Sequence, residues 1–329
     1  MIPFKFIFLF FVFWSGVPSL LNAQKVGLLM DSYIIDRWYI DEKLFTSKVK
    51  ELGGECVVEV PHGDADEQLR LAKKLIEDKV DVLVVVPVDG QKAVAIVEAA
   101  KQAGIPVISY DRFIASQDVS FYISFDNEKV GKLQAQYALR KMPSGNYILI
   151  NGPVSDNNSI AFHNGQLSVL KPYVDSKKIR IVADFVLHGW SELEAMMKTD
   201  EYLTNNKAIP NVIIAANDAV ATGAIQALPE ELVSKVIVTG QDADRTSLKN
   251  IIAGKQSMTI YKPIKPLATK AAEIAIQLAK GEHAQGTKLK FNGIEVDAIL
   301  LEPIVVDKTN YKETVVKDGH ISLAELAGK

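Results

Sequence analysis

The sequence predicts an α/β fold of two doubly wound lobes. Each lobe is a parallel sheet with helices on both faces, and several strand crossings join the two as a hinge. Three observations carry this expectation. Short apolar runs alternate with amphipathic helical stretches, and the series occurs twice. Most of the runs end in a charged or amide residue, where a parallel sheet presents ligand-binding groups. The 329 residues, 48% of them hydrophobic, are enough chain for two cores.

The first series starts at Lys25–Met30, an apolar run of strand length that ends at Asp31. Arg37 and Trp38 follow at a helix start or in a loop, and 39–52 reads as an amphipathic helix stopped by Gly53-Gly54. Residues 55–60 alternate like a half-buried strand, and 66–79 is a helix with Leu69, Ala72, Leu75 and Ile76 on one face. A strand over 80–86 closes at Pro87, a helix over 91–103 closes at Gly104, and 105–110 is a strand ending in Asp111-Arg112. Residues 121–126 form the strand that leads out of the series.

The second series has helices over 127–141, 160–170, 192–204, 219–227 and 246–253. Its strands are 146–151, 179–185, 212–216 and 236–239. A strand over 256–261 and a helix over 267–280 are surplus to this second sheet and are candidates for a return to the first lobe. The expected organisation is a signal peptide over 1–23, a first lobe of 24–126 plus 263–290, and a second lobe of 127–262 plus 291–329.

Bulk properties narrow the function. With 37 basic and 40 acidic residues the net charge is −3, which gives no electrostatic case for nucleic acid or an anionic membrane. Lys5, the apolar 6–14 stretch, Gly16-Val17-Pro18 and Leu21-Asn22-Ala23 read as a secretory signal cut after Ala23. The apolar stretch is short for a membrane span. The single Cys56 precludes a disulfide framework within the chain and is expected to be a small buried hydrophobe. No two of the five His stand at metal-ligand spacing, and no Gly-x-Ser-x-Gly, P-loop or Gly-x-Gly-x-x-Gly occurs, so neither a metal nor a cofactor is expected.

The strand ends collect Asp31, Arg37, Trp38, Asp111 and Arg112 from the first series. The second supplies Asp156, Asn157, Asn158, Trp190, Asn217, Asp218 and Asp242, with Lys262 at a crossing. Acids, amides, bases and two indoles suit a neutral polyol. Carboxylates accept from hydroxyls, cations donate to them, and an indole face covers the C–H face of a sugar ring. Competing readings are N-caps for Asp31 and Asp218, a surface pair for Asp111 and Arg112, and core packing for the two Trp.

These stretches carry a resemblance. Asp36-Arg37-Trp38, Tyr110-Asp111-Arg112, 121–131, Asp156-Asn157-Asn158, Gly189-Trp190, Ala216-Asn217-Asp218, 240–244 and Tyr261-Lys262-Pro263 run in order over nearly the whole chain. With them the chain resembles the periplasmic sugar-binding proteins of bacterial ABC importers, and within these the D-xylose branch. The resemblance implies two Rossmann-like lobes of the type I periplasmic binding fold, closing on sugar through a three-strand hinge. It implies pocket roles for Arg37, Asp111, Arg112, Asn158, Trp190, Asn217, Asp242 and Lys262, with Trp38 stacking opposite Trp190. It implies a monomeric, non-enzymatic receptor in the periplasm, with a monosaccharide ligand, D-xylose or a related pentose, and importer membrane subunits as partners. The alternatives are a co-receptor for a membrane histidine kinase and another sugar such as ribose, arabinose or glucose.

Overall fold

The computed structural model describes residues 23–34, 37–291 and 293–328. The expected signal segment up to Asn22, and Asp36, lie outside these residues. Among the described residues no helix is long and apolar enough to cross a membrane.

The first lobe begins with β1 (Lys25–Leu29), α1 (Arg37–Glu51), β2 (Glu55–Glu59), α2 (Ala65–Glu77), β3 (Val82–Val85), α3 (Val94–Gln102), β4 (Val107–Tyr110) and β5 (Phe121–Phe125). The central strands β3 and β4 are buried at every position, which is why they read as apolar runs; the exception, Ser109, donates its hydroxyl to the Arg112 carbonyl. Asp64 caps α2 by accepting from the backbone N–H groups of Asp66 and Glu67. Half-buried Cys56 lies on β2, and burial holds its thiol up at about 12.

The second lobe runs through α4 (Asn127–Lys141), β6 (Gly145–Asn151), α5 (Asn157–Asp175), β7 (Ile179–Val186), α6 (Glu192–Asn205), β8 (Val212–Ala215), α7 (Asp218–Ala227), α8 (Glu230–Val233), β9 (Ile237–Val238), α9 (Arg245–Ala253) and β10 (Thr259–Tyr261). The chain then continues as α10 (Ile264–Ala279), β11 (Thr287–Phe291), β12 (Ile294–Leu301), β13 (Ile304–Val306) and α11 (Leu323–Leu326).

The first sheet has the order β11-β12-β5-β4-β3-β1-β2, parallel except for the β11–β12 hairpin. One face packs Phe45 and Val49 of α1 with Leu267, Ala271 and Ile274 of α10. The other packs Leu71 and Leu75 of α2 with Ile96 and Val97 of α3. The second sheet is β7-β6-β8-β9, parallel throughout, and β10 pairs with β13 antiparallel.

Of the two surplus elements, the strand stays with the second lobe, inside the expected 127–262 bounds: the Ile260 N–H donates to Gly240 and the Asp242 N–H to Ile260, so β10 runs on beside β9. Only the helix after it returns. The returning segment also reaches further than 290, because β12 pairs with β5 in parallel register through Leu301–Phe125. A hairpin that alternates apolar with charged residues carries no local mark of which open sheet edge it joins.

The chain therefore crosses between lobes three times, at 126, at 262–263 and at 302–303. The Asp126 N–H donates to the Leu301 carbonyl at 3.0 Å, tying the first and third crossings together. Close packing of α4 on α5 sets the second lobe's wall. A Cβ on Gly131 would lie 1.9 Å from the Phe162 carbonyl oxygen, and one on Gly165 would lie 2.1 Å from that of Glu128. Only glycine permits this approach, which carries the N-terminal end of α5 to the cleft.

Candidate functional site

All nine predicted site residues, Arg37, Trp38, Asp111, Arg112, Asn158, Trp190, Asn217, Asp242 and Lys262, line one small cavity between the lobes. Asp156, Phe162 and Gln241 complete its wall. A larger opening of about 880 Å³ lies beside it, bounded by Asp31, Ser32, Glu192, Arg245 and His320 among others.

Arg37 stands at the start of α1 and is the hub. Its Nη2 lies 2.9 Å from Asp111 Oδ2, its Nη1 3.6 Å from Asp242 Oδ1, and its Nε donates to Asp41 Oδ2 at 3.2 Å. Arg37 and Asp41 are four residues apart, so they share one helix face. Tyr110 donates its hydroxyl to the other oxygen of Asp41 from behind. Burial pushes the Asp41 carboxyl up, only partly opposed by Arg37. Burial also pushes Asp111 up, but Arg37, Lys262 and Arg112 together outweigh it and leave its carboxyl below the ordinary value.

Arg112 bridges the lobes. Its Nη1 donates to Asp31 Oδ2 at 3.0 Å and to the Pro87 carbonyl at 3.1 Å, both in the first lobe. Its Nε lies 2.9 Å from Asp156 Oδ2 in the second. The same Asp156 oxygen accepts the Trp190 indole N–H at 3.1 Å. Asn158 donates to the Asp111 carboxylate at 3.2 Å and accepts from Asn127 at 2.8 Å. Lys262, at the second crossing, lies 3.3 Å from Asp242 Oδ1 and 5.9 Å from the ring centroids of Phe125 and Phe162.

The two lobes present their acids alike. Asp111 follows β4 and Asp242 follows β9, with φ of 60° and 103°. Each donates its N–H at 2.8 Å to the carbonyl of a neighbouring strand, Ile123 or Ile260. A non-glycine residue in the left-handed region is strained, and such strain collects at binding sites.

The competing readings resolve differently. Asp31 caps no helix; its carboxylate pairs with Arg112, and burial holds its pKa above the ordinary value against that cation. The cap of α7 is Asn217, which accepts from the Val220 N–H and lines the cavity as well. Asp218 lies buried behind it, accepting from Gln256 and Thr259. Asp111 and Arg112 are buried, at 2% and 7% exposure, and do not form a surface pair. Trp38 is both core and wall: it packs in the first lobe's core, while the guanidinium carbons of Arg37 and Arg112 lie 4.4 and 5.4 Å from its ring centroid.

The comparisons with known proteins are decisive for family. The model of the periplasmic binding protein domain matches residues 26–283. The chain belongs to the periplasmic binding protein family. It is similar to the D-xylose-binding periplasmic protein of Escherichia coli, with 44% identity over 314 residues, 95% of each chain. It is similar also to that of Haemophilus influenzae, at 43% over 94% of this chain and 93% of the other. A solved ABC transporter solute-binding protein from Clostridium phytofermentans with bound β-D-glucose superposes with a TM-score of 0.85. That protein is 30% identical and covers 92% of this chain and 100% of its own.

As a periplasmic binding protein the chain has supporting residues that sequence reasoning passed over. Asp41 was legible as the i+4 partner of Arg37. Phe162 follows Asn158 by four residues on α5 and so shares its face. The strand-end reading included Asp31 and Asp156 without giving them a partner, because Arg112 is 81 residues from the one and far from the other in sequence.

Proposed function

We propose that the protein is a periplasmic receptor for a pentose, D-xylose first, that closes on its sugar and delivers it to an ABC importer without chemical change. One observation carries the reading most: three cations, two carboxylates, two amides and two indoles among the nine expected residues, drawn from both lobes, converge on a single cavity. The 44% identity to a D-xylose-binding protein supports the sugar named.

The cavity holds about 30 Å³, room for a water molecule or two. A sugar therefore enters by parting the lobes, and its hydroxyls take places between groups that otherwise pair with one another. Arg37, Asp111 and Arg112 hold it from the first lobe. Asn158, Trp190, Asn217 and Asp242 meet it from the second, with Lys262 at the crossing and Trp38 beneath the guanidiniums. Sugar contacting both lobes binds the closed arrangement better and shifts the population toward it.

The test is calorimetry and thermal shift with D-xylose, D-ribose, L-arabinose, D-glucose and D-galactose. Only a ligand that prefers the native state raises Tm, and D-xylose is expected to raise it most. No shift with any pentose overturns the reading. Recovery of unchanged sugar after long incubation distinguishes a receptor from an enzyme. Sugar-dependent binding to importer subunits, set against binding to a sensor kinase ectodomain, identifies the membrane partner.

A further inference from the structure

The turn that carries Asp242 is strained twice over. Asp242 and the next residue, Ala243, both lie in the left-handed region, at φ 103° and 57°. Aspartate enters that region more readily than alanine, and a successive pair persists only where its surroundings hold it. Three donors of the turn are held from within the second lobe. The Asp242 N–H donates to the Ile260 carbonyl at 2.8 Å, the Ala243 N–H to Thr259 Oγ1 at 3.2 Å, and the Asp244 N–H to Asp218 Oδ2 at 3.0 Å.

The fourth hold comes from the far end of the chain. His320 Nε2 lies 2.9 Å from the carbonyl oxygen of buried Ala243, 77 residues away. A carbonyl has no proton to give, so Nε2 is the donor. Burial pushes the His320 pKa below its ordinary value, so at neutral pH the ring carries a single proton, and this bond places it at Nε2. The imidazole also packs against the Tyr261 ring, centroids 4.9 Å apart. His320 therefore touches the chain neighbour of Asp242 on one side and that of Lys262 on the other, and those two site residues face each other at 3.3 Å. Its own position is set by Val315 and Ile321, which pack with Leu248 and Ile251 of α9. It borders the outer opening and is absent from the wall of the sugar cavity.

We propose that His320 is a positioning residue for sugar binding, which holds the Asp242 carboxylate in the cavity by fixing the Ala243 carbonyl behind it. The inference rests on the sugar-receptor reading and extends the site to the C-terminal segment, which touches no sugar. Without the imidazole the Ala243 carbonyl is buried and unpaired, and the turn relaxes toward ordinary backbone angles, taking Asp242 with it.

The test compares His320→Phe, which keeps a ring on Tyr261 and removes the donor, with His320→Gln, which restores a donor at similar reach. Amide hydrogen exchange over 242–244, read without sugar, is expected to quicken in His320→Phe and to recover in His320→Gln. In calorimetry the D-xylose Kd is expected to rise about threefold to tenfold in His320→Phe and to return to within about twofold in His320→Gln. In an Asp242→Asn background His320→Phe is expected to add nothing, because the carboxylate it positions is gone. Nitrogen shifts of the unaltered protein are expected to show the Nε2–H tautomer. The Nδ1–H tautomer overturns the proposal, as does unchanged exchange over 242–244 in folded His320→Phe. So does a loss of affinity of the same size in the Asp242→Asn background, which marks a role that does not pass through Asp242. Exchange and tautomer are read without sugar, so they decide the role of His320 even where D-xylose binding by the unaltered protein fails and the receptor reading falls.

Discussion

Asp242→Asn separates what the site contributes to stability from what it contributes to binding. Asp242 is the second lobe's carboxylate, facing Arg37 at 3.6 Å and Lys262 at 3.3 Å. Asparagine keeps its shape and tolerates the left-handed backbone at φ 103°, so the substitution removes charge with little added strain. Arg37 retains Asp111 and Asp41. Lys262, only 4% exposed, loses the carboxylate it pairs with, and breaking a buried pair costs about 3–5 kcal/mol. Tm without sugar is therefore expected to fall by several degrees. A sugar hydroxyl bonded to a charged group is worth roughly 1.5–3 kcal/mol, so the D-xylose Kd is expected to rise about tenfold to a hundredfold or more. Asp242→Asn combined with Lys262→Met removes the stranded cation and restores much of the Tm, while affinity stays lost. Calorimetry and thermal melts on the single and double variants check both parts. An unchanged D-xylose Kd in Asp242→Asn refutes the site assignment. A Tm that does not recover in the double variant refutes the account of Lys262.

Other perturbations test other walls. Arg112→Lys loses the fork that joins Asp31, the Pro87 carbonyl and Asp156, and is expected to weaken D-xylose binding about a hundredfold in calorimetry. In Gly152→Ala the new Cβ would sit 2.5 Å from Trp190 ring atoms. The ring must turn from the cavity, so sugar-dependent tryptophan fluorescence and about tenfold in affinity are expected to be lost. Asp218 has a pKa held well above 3.8 by burial, with Asp244 and Asp242 adding to it. The native state keeps a proton that the unfolded chain releases, so this contribution is full below pH 3.8 and declines as pH rises through the folded value. Asp218→Asn is expected to flatten the decline of Tm above pH 3.8, and an unaltered slope across that range refutes the assignment.

How the site closes was not written locally. In the sequence Asp111 and Arg112 are an adjacent opposite-charge pair, yet in the fold they do not serve each other first. Arg112 reaches Asp31 and Asp156, while Asp111 is held by Arg37 and Asn158. Asp111 leaves the strand in the left-handed region, at φ 60°, and the chain turns there, so the two neighbouring side chains find partners on other elements.

The sequence by itself determined the alternation of strands and helices, the two-lobe α/β class and the residues that gather at the strand ends. These follow from periodicity and from short-range chemistry: a buried strand must be apolar, and it must stop where the chain turns polar. The tertiary structure alone decided two things. It gave β12 to the first sheet, where an open edge at β5 accepted it. It made Arg37 the shared partner of two acids, Asp111 and Asp242, on different lobes. Each depends on three chain crossings that bring distant segments within a few ångströms, and no local pattern of residues encodes that distance.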